Sequence, residues 1–205
     1  EALFSLCMFM YNAEAIGSWA ANMRTIMLFL LPKASGGWRL IGLLNTVYRL
    51  WARLRSPISA AWFGALGRDC LAFGQGKAAE DAAFEIALEA EATGEAGTSI
   101  TTVGDLEKGF EMVRHSRAIK AGVKHGYPII MLRLAIDMYR GQRRIAWRVT
   151  SLRSSYIDKA VVVGCGLVMQ ALGMVFLDSM DEFVRSAPPS LPTIKPYVDD
   201  FLTGY

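Results

Sequence analysis

The sequence predicts an α+β fold. Three observations point there. A glycine pair at Gly36-Gly37 marks one hairpin turn. A β-branched run from Ser99 to Val103 is bracketed by helical segments. A second hairpin lies close to the last residue, with Ile194 before its turn and Phe201-Leu202 after it.

Taken in order, the apolar stretch Ser18 to Leu30 reads as a helix broken at Pro32. Lys33-Ala34-Ser35-Gly36-Gly37-Trp38-Arg39 follows as the first hairpin turn, its glycines supplying positive φ. Leu40 to Leu44 is a short strand and Thr46 to Leu54 a helix. After the loop Gly74-Gln75-Gly76, residues Ala78 to Ala92 form a helix closed by Gly94. Its charges Glu80, Asp81, Glu85 and Glu89 recur at helical spacing opposite Phe84 and Leu88. The strand Ser99 to Val103 ends at Gly104-Asp105, so Asp105 sits at a strand's carboxyl end. Glu107 to Ala121 and Pro128 to Tyr139 read as helices, and Arg143 to Val149 alternates like a strand. Val161-Val162-Val163 is either a short strand or the lead into a helix ending near Met180. Pro188, Pro189, Pro192 and Pro196 mark an exposed loop before the final hairpin.

With 205 residues the chain can bury one sizeable core, or one domain with an appended subdomain. Its 53% hydrophobic content and mean hydropathy of +0.27 raise a membrane reading. The strongest span, Ala160 to Leu177, is interrupted by Gly164, Gly166 and Gly173, which fits a buried strand-turn-helix better than a bilayer. No basic leader segment precedes an apolar one. The start on Glu1 and the stop just past Asp199-Asp200 point to a piece of something longer. Cys7, Cys70 and Cys165 are widely spaced in apolar surroundings and read as buried reduced thiols of an intracellular protein, nuclear or cytoplasmic. His115 and His125 lie in a basic stretch without ligand or triad spacing, so a surface or nucleic-acid-facing role is expected of them.

The net charge of +3 hides segregation. Residues 15–68 carry seven basic side chains and no acidic one, and residues 112–159 carry eleven against two. Residues 69–111 carry ten acidic against two basic. The basic blocks are interleaved with Trp38, Tyr48, Trp51, Trp62, Tyr127, Tyr139 and Trp147. Cations neutralise phosphates while rings stack on bases, so the mixture suits nucleic acid; solvated helix faces are the plain alternative.

Chemistry concentrates at three carboxylates. Tyr197-Val198-Asp199-Asp200 places two adjacent aspartates at a hairpin tip, where their repulsion calls for a cation. A hard ion such as Mg²⁺ suits such oxygen donors. Together with Asp105 at its strand end, they could hold two divalent ions about 3.5–4 Å apart, the arrangement used in nucleotidyl transfer.

From about Leu31 onward the chain resembles the reverse transcriptases, specifically the non-LTR retrotransposon and group II intron branch. Leu31-Pro32-Lys33 through Trp38-Arg39-Leu40-Ile41-Gly42-Leu43-Leu44 resembles the family's fingers hairpin, and Phe73-Gly74-Gln75-Gly76-Lys77 the segment before the first catalytic strand. Gly104-Asp105-Leu106-Glu107-Lys108-Gly109-Phe110 is similar to motif A, and Tyr197-Val198-Asp199-Asp200 to motif C. Val163-Gly164-Cys165-Gly166-Leu167 stands at motif B, keeping glycine but replacing the usual glutamine with valine. Glu111 stands where many relatives have aspartate.

The resemblance implies a right-hand polymerase with an antiparallel palm sheet packed on helices and the thumb absent. Fingers and supporting helices would take residues 1–95 and 112–157, and the palm 96–111 and 158–205. It implies Asp105, Asp199 and Asp200 as catalytic metal ligands, joined by the Leu106 carbonyl, with two Mg²⁺ ions or Mn²⁺ as substitute. Lys33, Arg39, Phe110 and Gly164 would bind the nucleotide, Phe110 as a steric gate against the ribose 2′-hydroxyl. The implied partners are an RNA template, a DNA primer, deoxynucleoside triphosphates and further domains of a longer polyprotein, with no membrane. An RNA-dependent RNA polymerase and a non-catalytic nucleic-acid-binding remnant remain the alternatives.

Overall fold

The computed structural model describes residues 1–34, 36–66, 79–94, 101–105, 109–147, 150–153, 157–162, 165–186, 193–197 and 200–204. Leu106, Gly164 and Asp199, three of the residues expected at the site, lie outside them, as does Cys70.

The chain opens with helix α1 (Ala2–Ile16), which ends at Gly17 with φ 71°. A single 3₁₀ turn (Ala21–Met23) leads into β1 (Ile26–Pro32). Ser18 to Leu30 is therefore not the helix its apolar run predicts. β1 is an inner strand, paired antiparallel with β2 (Trp38–Leu43) and parallel with β4 (Arg143–Trp147), and β4 in turn pairs antiparallel with β5 (Thr150–Arg153). Pairing along both edges makes β1 a strand although only Ile26 is buried and Phe29 and Leu31 are exposed, and an unbroken apolar run does not by itself tell a strand from a helix. The β1–β2 hairpin is as expected, with Gly36 and Gly37 at φ 86° and 85°.

Helix α2 (Thr46–Ala65) begins where Asn45 caps the Val47 N–H at 2.9 Å, and continues past Pro57. Pro57 has no N–H for the Arg53 carbonyl, and the Ser56 hydroxyl donates to that carbonyl instead at 2.9 Å. Helix α3 (Ala79–Gly94) exposes Glu80, Asp81, Glu85 and Glu91 but also Phe84 and Leu88. The expected helix Glu107 to Ala121 is split into α4 (Gly109–Met112) and α5 (His115–Lys124), because residues 113–114 leave the helix where the Val113 carbonyl and the His115 N–H bond to residues 158–160. Helices α6 (Ile129–Tyr139) and α7 (Val168–Ser186) complete the helical layer. Residues 160–162 form neither a strand nor the start of α7.

The second sheet is small and antiparallel: β3 (Thr101–Asp105), β7 (Asp200–Gly204) and β6 (Thr193–Tyr197), with β7 in the middle. Pro196 is tolerated because β6 is an edge strand.

The core is aromatic. Trp19, Tyr48 and Trp51 meet at centroid distances of 5.5–5.6 Å, and Tyr139 and Tyr127 are buried nearby in the same cluster. The two indole nitrogens are matched: Trp19 Nε1 donates to the Leu134 carbonyl at 3.1 Å, and Trp51 Nε1 to Glu14 at 2.7 Å. Tyr127 pairs with Ser59 at 2.9 Å. Four of the seven rings expected to stack on bases, Tyr48, Trp51, Tyr127 and Tyr139, are thus core residues, because burying a ring gains more than exposing it. Trp38 alone of the seven is more than half exposed among the described side chains. Gly141 joins α6 to β4 where a Cβ would collide with the Arg24 carbonyl.

Candidate active site

The β-branched stretch of β3 runs to Asp105, and β7 begins at Asp200. The ladder places Asp105 opposite Asp200, and Tyr197 of β6 opposite Asp200 on the other side. Residues 198–199 make a two-residue connection between β6 and β7. Backbone register thus brings two of the three expected carboxylate residues to one row of the sheet. Asp199, adjacent in the chain, lies outside the described residues. Among the described residues no three His, Cys, Asp or Glu side chains cluster as a metal site.

Lys33 and Arg39 occupy the exposed end of the β1–β2 hairpin. The Lys33 N–H donates to the Gly37 carbonyl at 3.1 Å, and Arg39 is the register partner of Leu31. Phe110 lies in α4, half-buried against the core. Its carbonyl accepts the Val161 N–H at 3.0 Å. At Gly42 of β2 a Cβ would come within 2.6 Å of Val162 Cγ1, so the hairpin base rests on the same segment that holds Phe110.

That segment, Asp158 to Val162, is the part sequence reasoning missed. It pairs with residues 110–115 through His115 N–H to the Asp158 carbonyl at 3.0 Å, Ala160 N–H to the Val113 carbonyl at 2.9 Å, and the Val161–Phe110 bond. Ala160 has φ 76°, the single non-glycine positive φ among the described residues. Its carbonyl accepts from two buried side chains: His115 Nε2 at 2.9 Å and Arg143 Nη2 at 3.2 Å. A carbonyl only accepts, so Nε2 of His115 carries the hydrogen. Burial pushes the imidazole below its ordinary value; the bond to Ala160 and the Asp158 charge oppose this, while Arg140 and Arg143 add to it. Burial likewise lowers Arg143, with Glu111 opposing the shift. His115 is therefore a buried structural donor, not the surface residue expected from its basic surroundings.

Just beyond, Cys165 is buried, with its sulfur 3.3 Å from the Tyr48 hydroxyl, and burial raises Tyr48 well above the usual tyrosine range. Cys7, by contrast, is exposed on α1, so the expectation of buried thiols fails there: α1 turns that side away from the core. Among the described residues no helix is long and apolar enough to cross a membrane.

No protein-family model and no curated protein matches the sequence. Solved structures do. The chain superposes on telomerase from Candida albicans, in complex with a TWJ fragment of telomeric RNA, with a TM-score of 0.64 over 95% of this chain and 10% identity. It superposes on apo telomerase from Candida tropicalis, truncated from the C-terminal domain, with a TM-score of 0.57 over 90% of this chain, again at 10% identity. It spans 40% and 44% of those chains, less than half of either. The chain therefore shares its fold with part of these telomerase structures.

Proposed function

We propose that this chain, which has a reverse-transcriptase-like fold, is the fingers and palm of an RNA-directed DNA polymerase. The finer placement is with the non-LTR retrotransposon and group II intron branch, whose motifs its sequence resembles. The observation that carries the reading is the register pairing of Asp105 with Asp200 at the matching ends of β3 and β7. Residues 95 apart in sequence are brought to one row of a three-stranded sheet, on a fold that superposes on telomerase.

The donor set fits hard cations: aspartates on register-paired strands, with a third next to Asp200 in the sequence. Asp105, Asp199 and Asp200, with the Leu106 carbonyl, would hold two Mg²⁺ ions, which when bound supply charge neutralisation at the attacking 3′-oxygen and the leaving pyrophosphate. Lys33 and Arg39 bind the triphosphate from the exposed hairpin end. Phe110 closes the space beside C2′ of the sugar, and Gly164 leaves room for the nucleotide. The partners in this reading are an RNA template, a DNA primer and deoxynucleoside triphosphates, inside a longer polyprotein.

Primer extension on an RNA template tests it. The wild-type chain extends a DNA primer with deoxynucleotides in Mg²⁺, and Asp200→Asn reduces extension by at least a hundredfold while primer-template affinity stays within about twofold, since carboxylates repel phosphates. Equal extension by both proteins refutes the proposal. Extension with ribonucleotides alone would place the chain with RNA-dependent RNA polymerases. Extension by neither would make it a binding remnant.

A further inference from the structure

We propose that His115 and Arg143 set sugar discrimination by clamping the Ala160 carbonyl and, through it, the position of Phe110. The inference rests on the polymerase reading for its consequence but on separate residues for its geometry. Neither side chain belongs to the expected nucleotide or metal site, and both are buried.

Ala160 is held in a backbone conformation that costs an L-residue energy unless its surroundings impose it. Two buried side chains impose it. His115 stands at the first turn of α5 and Arg143 at the first position of β4, and both donate to the one carbonyl. Arg143 is the register partner of Ile26, so β4 ties this point to β1 and hence to the Lys33–Arg39 hairpin. On the other side, Ala160 and Val161 donate to the carbonyls of Val113 and Phe110. One carbonyl therefore joins the sheet that carries the triphosphate hairpin to the short helix that carries the gate.

A steric gate works by excluding one oxygen atom, so a displacement well under 1 Å decides whether a 2′-hydroxyl fits. Releasing Ala160 lets it relax from positive φ, and the Phe110 carbonyl moves with the Val161 N–H. Loss of the clamp then admits ribonucleotides without removing any group that touches the nucleotide. His115 and Arg143 are positioning residues.

The test compares His115→Leu, His115→Gln and Arg143→Met with the wild-type full chain. Glutamine keeps an N–H near the Nε2 position, whereas leucine and methionine keep bulk without a donor. The readouts are the ratio of kcat/KM for deoxy- over ribonucleotide incorporation, and amide hydrogen exchange at residues 157–162. We expect the leucine and methionine variants to lower the ratio about fivefold, the worth of one hydrogen bond, and to speed exchange. Glutamine restores most of both. An unchanged ratio with faster exchange overturns the gate coupling, and unchanged exchange overturns the clamp. Phe110→Val separates this from the underlying reading. If that variant leaves the ratio unchanged, Phe110 is not the gate and the polymerase assignment of motif A fails, whatever His115 does.

Discussion

Asp200→Asn is expected to raise the melting temperature without Mg²⁺ and lower it with Mg²⁺, relative to wild type. Cβ atoms of directly opposed residues in an antiparallel ladder stand about 5 Å apart. Two carboxylates at that separation repel by about 0.8 kcal/mol in a water-like dielectric. For a chain of 205 residues, about 1 kcal/mol shifts the melting temperature by roughly 2–4 °C. In EDTA the asparagine variant therefore melts about 2–3 °C higher than wild type. Mg²⁺ reverses the order. A carboxylate site with a Kd of about 1 mM, in 10 mM Mg²⁺, adds about 1.4 kcal/mol to the folded state, or roughly 3–5 °C. The variant, short of one ligand, gains little. Differential scanning fluorimetry of both proteins in EDTA and in 10 mM Mg²⁺ reads the crossover directly. If the two melting curves move in parallel, Asp105 and Asp200 do not share an ion. If the variant melts lower in EDTA as well, Asp200 is a structural hydrogen-bonding residue and the argument from repulsion is wrong.

Two further outcomes follow from the Ala160 clamp. His115 has a folded pKa below its ordinary 6.5, so the unfolded chain binds the proton more readily than the folded one. Its contribution to stability is complete above about pH 6.5 and declines as pH falls from there toward the lower folded value, with a slope of at most about 1.4 kcal/mol per pH unit. Urea midpoints at pH 7.5 and 5.5 should show this loss in wild type and a smaller one in His115→Leu; equal losses would mean that another group controls the acid limb. At Ala160 itself, glycine relieves about 1–2 kcal/mol of left-handed strain but adds about 0.4–1 kcal/mol of unfolded-state entropy, so Ala160→Gly should melt between the wild-type temperature and about 6 °C above it. Ala160→Val, β-branched at positive φ, should melt several degrees lower; a well-tolerated valine would contradict the backbone assigned there.

The strands and turns that local chemistry dictates were legible. The glycines at 36 and 37 announced the first hairpin, the β-branched residues before Asp105 announced β3, and Ile194 and Phe201-Leu202 bracketed the last hairpin. What misled was long-range structure. Residues 26–32 are a strand because they pair with β2 and β4, and nothing local distinguishes their apolar run from a helix. His115 and Arg143 sit among basic residues and look like surface charges until long-range packing encloses them. The rings of Tyr48, Trp51, Tyr127 and Tyr139 look like base-stacking platforms for the same reason.

By itself the sequence determined residue chemistry and short-range geometry: a cation-demanding Asp199-Asp200 pair, Asp105 at a strand end, and a basic hairpin turn. Such features need only neighbours a few residues away, where φ, side-chain charge and turn propensity act. Only the tertiary structure decided that Asp105 faces Asp200 across a ladder and that two buried donors meet at the Ala160 carbonyl. Both depend on strand order and burial between segments dozens of residues apart, which packing of the whole core selects and no local pattern encodes.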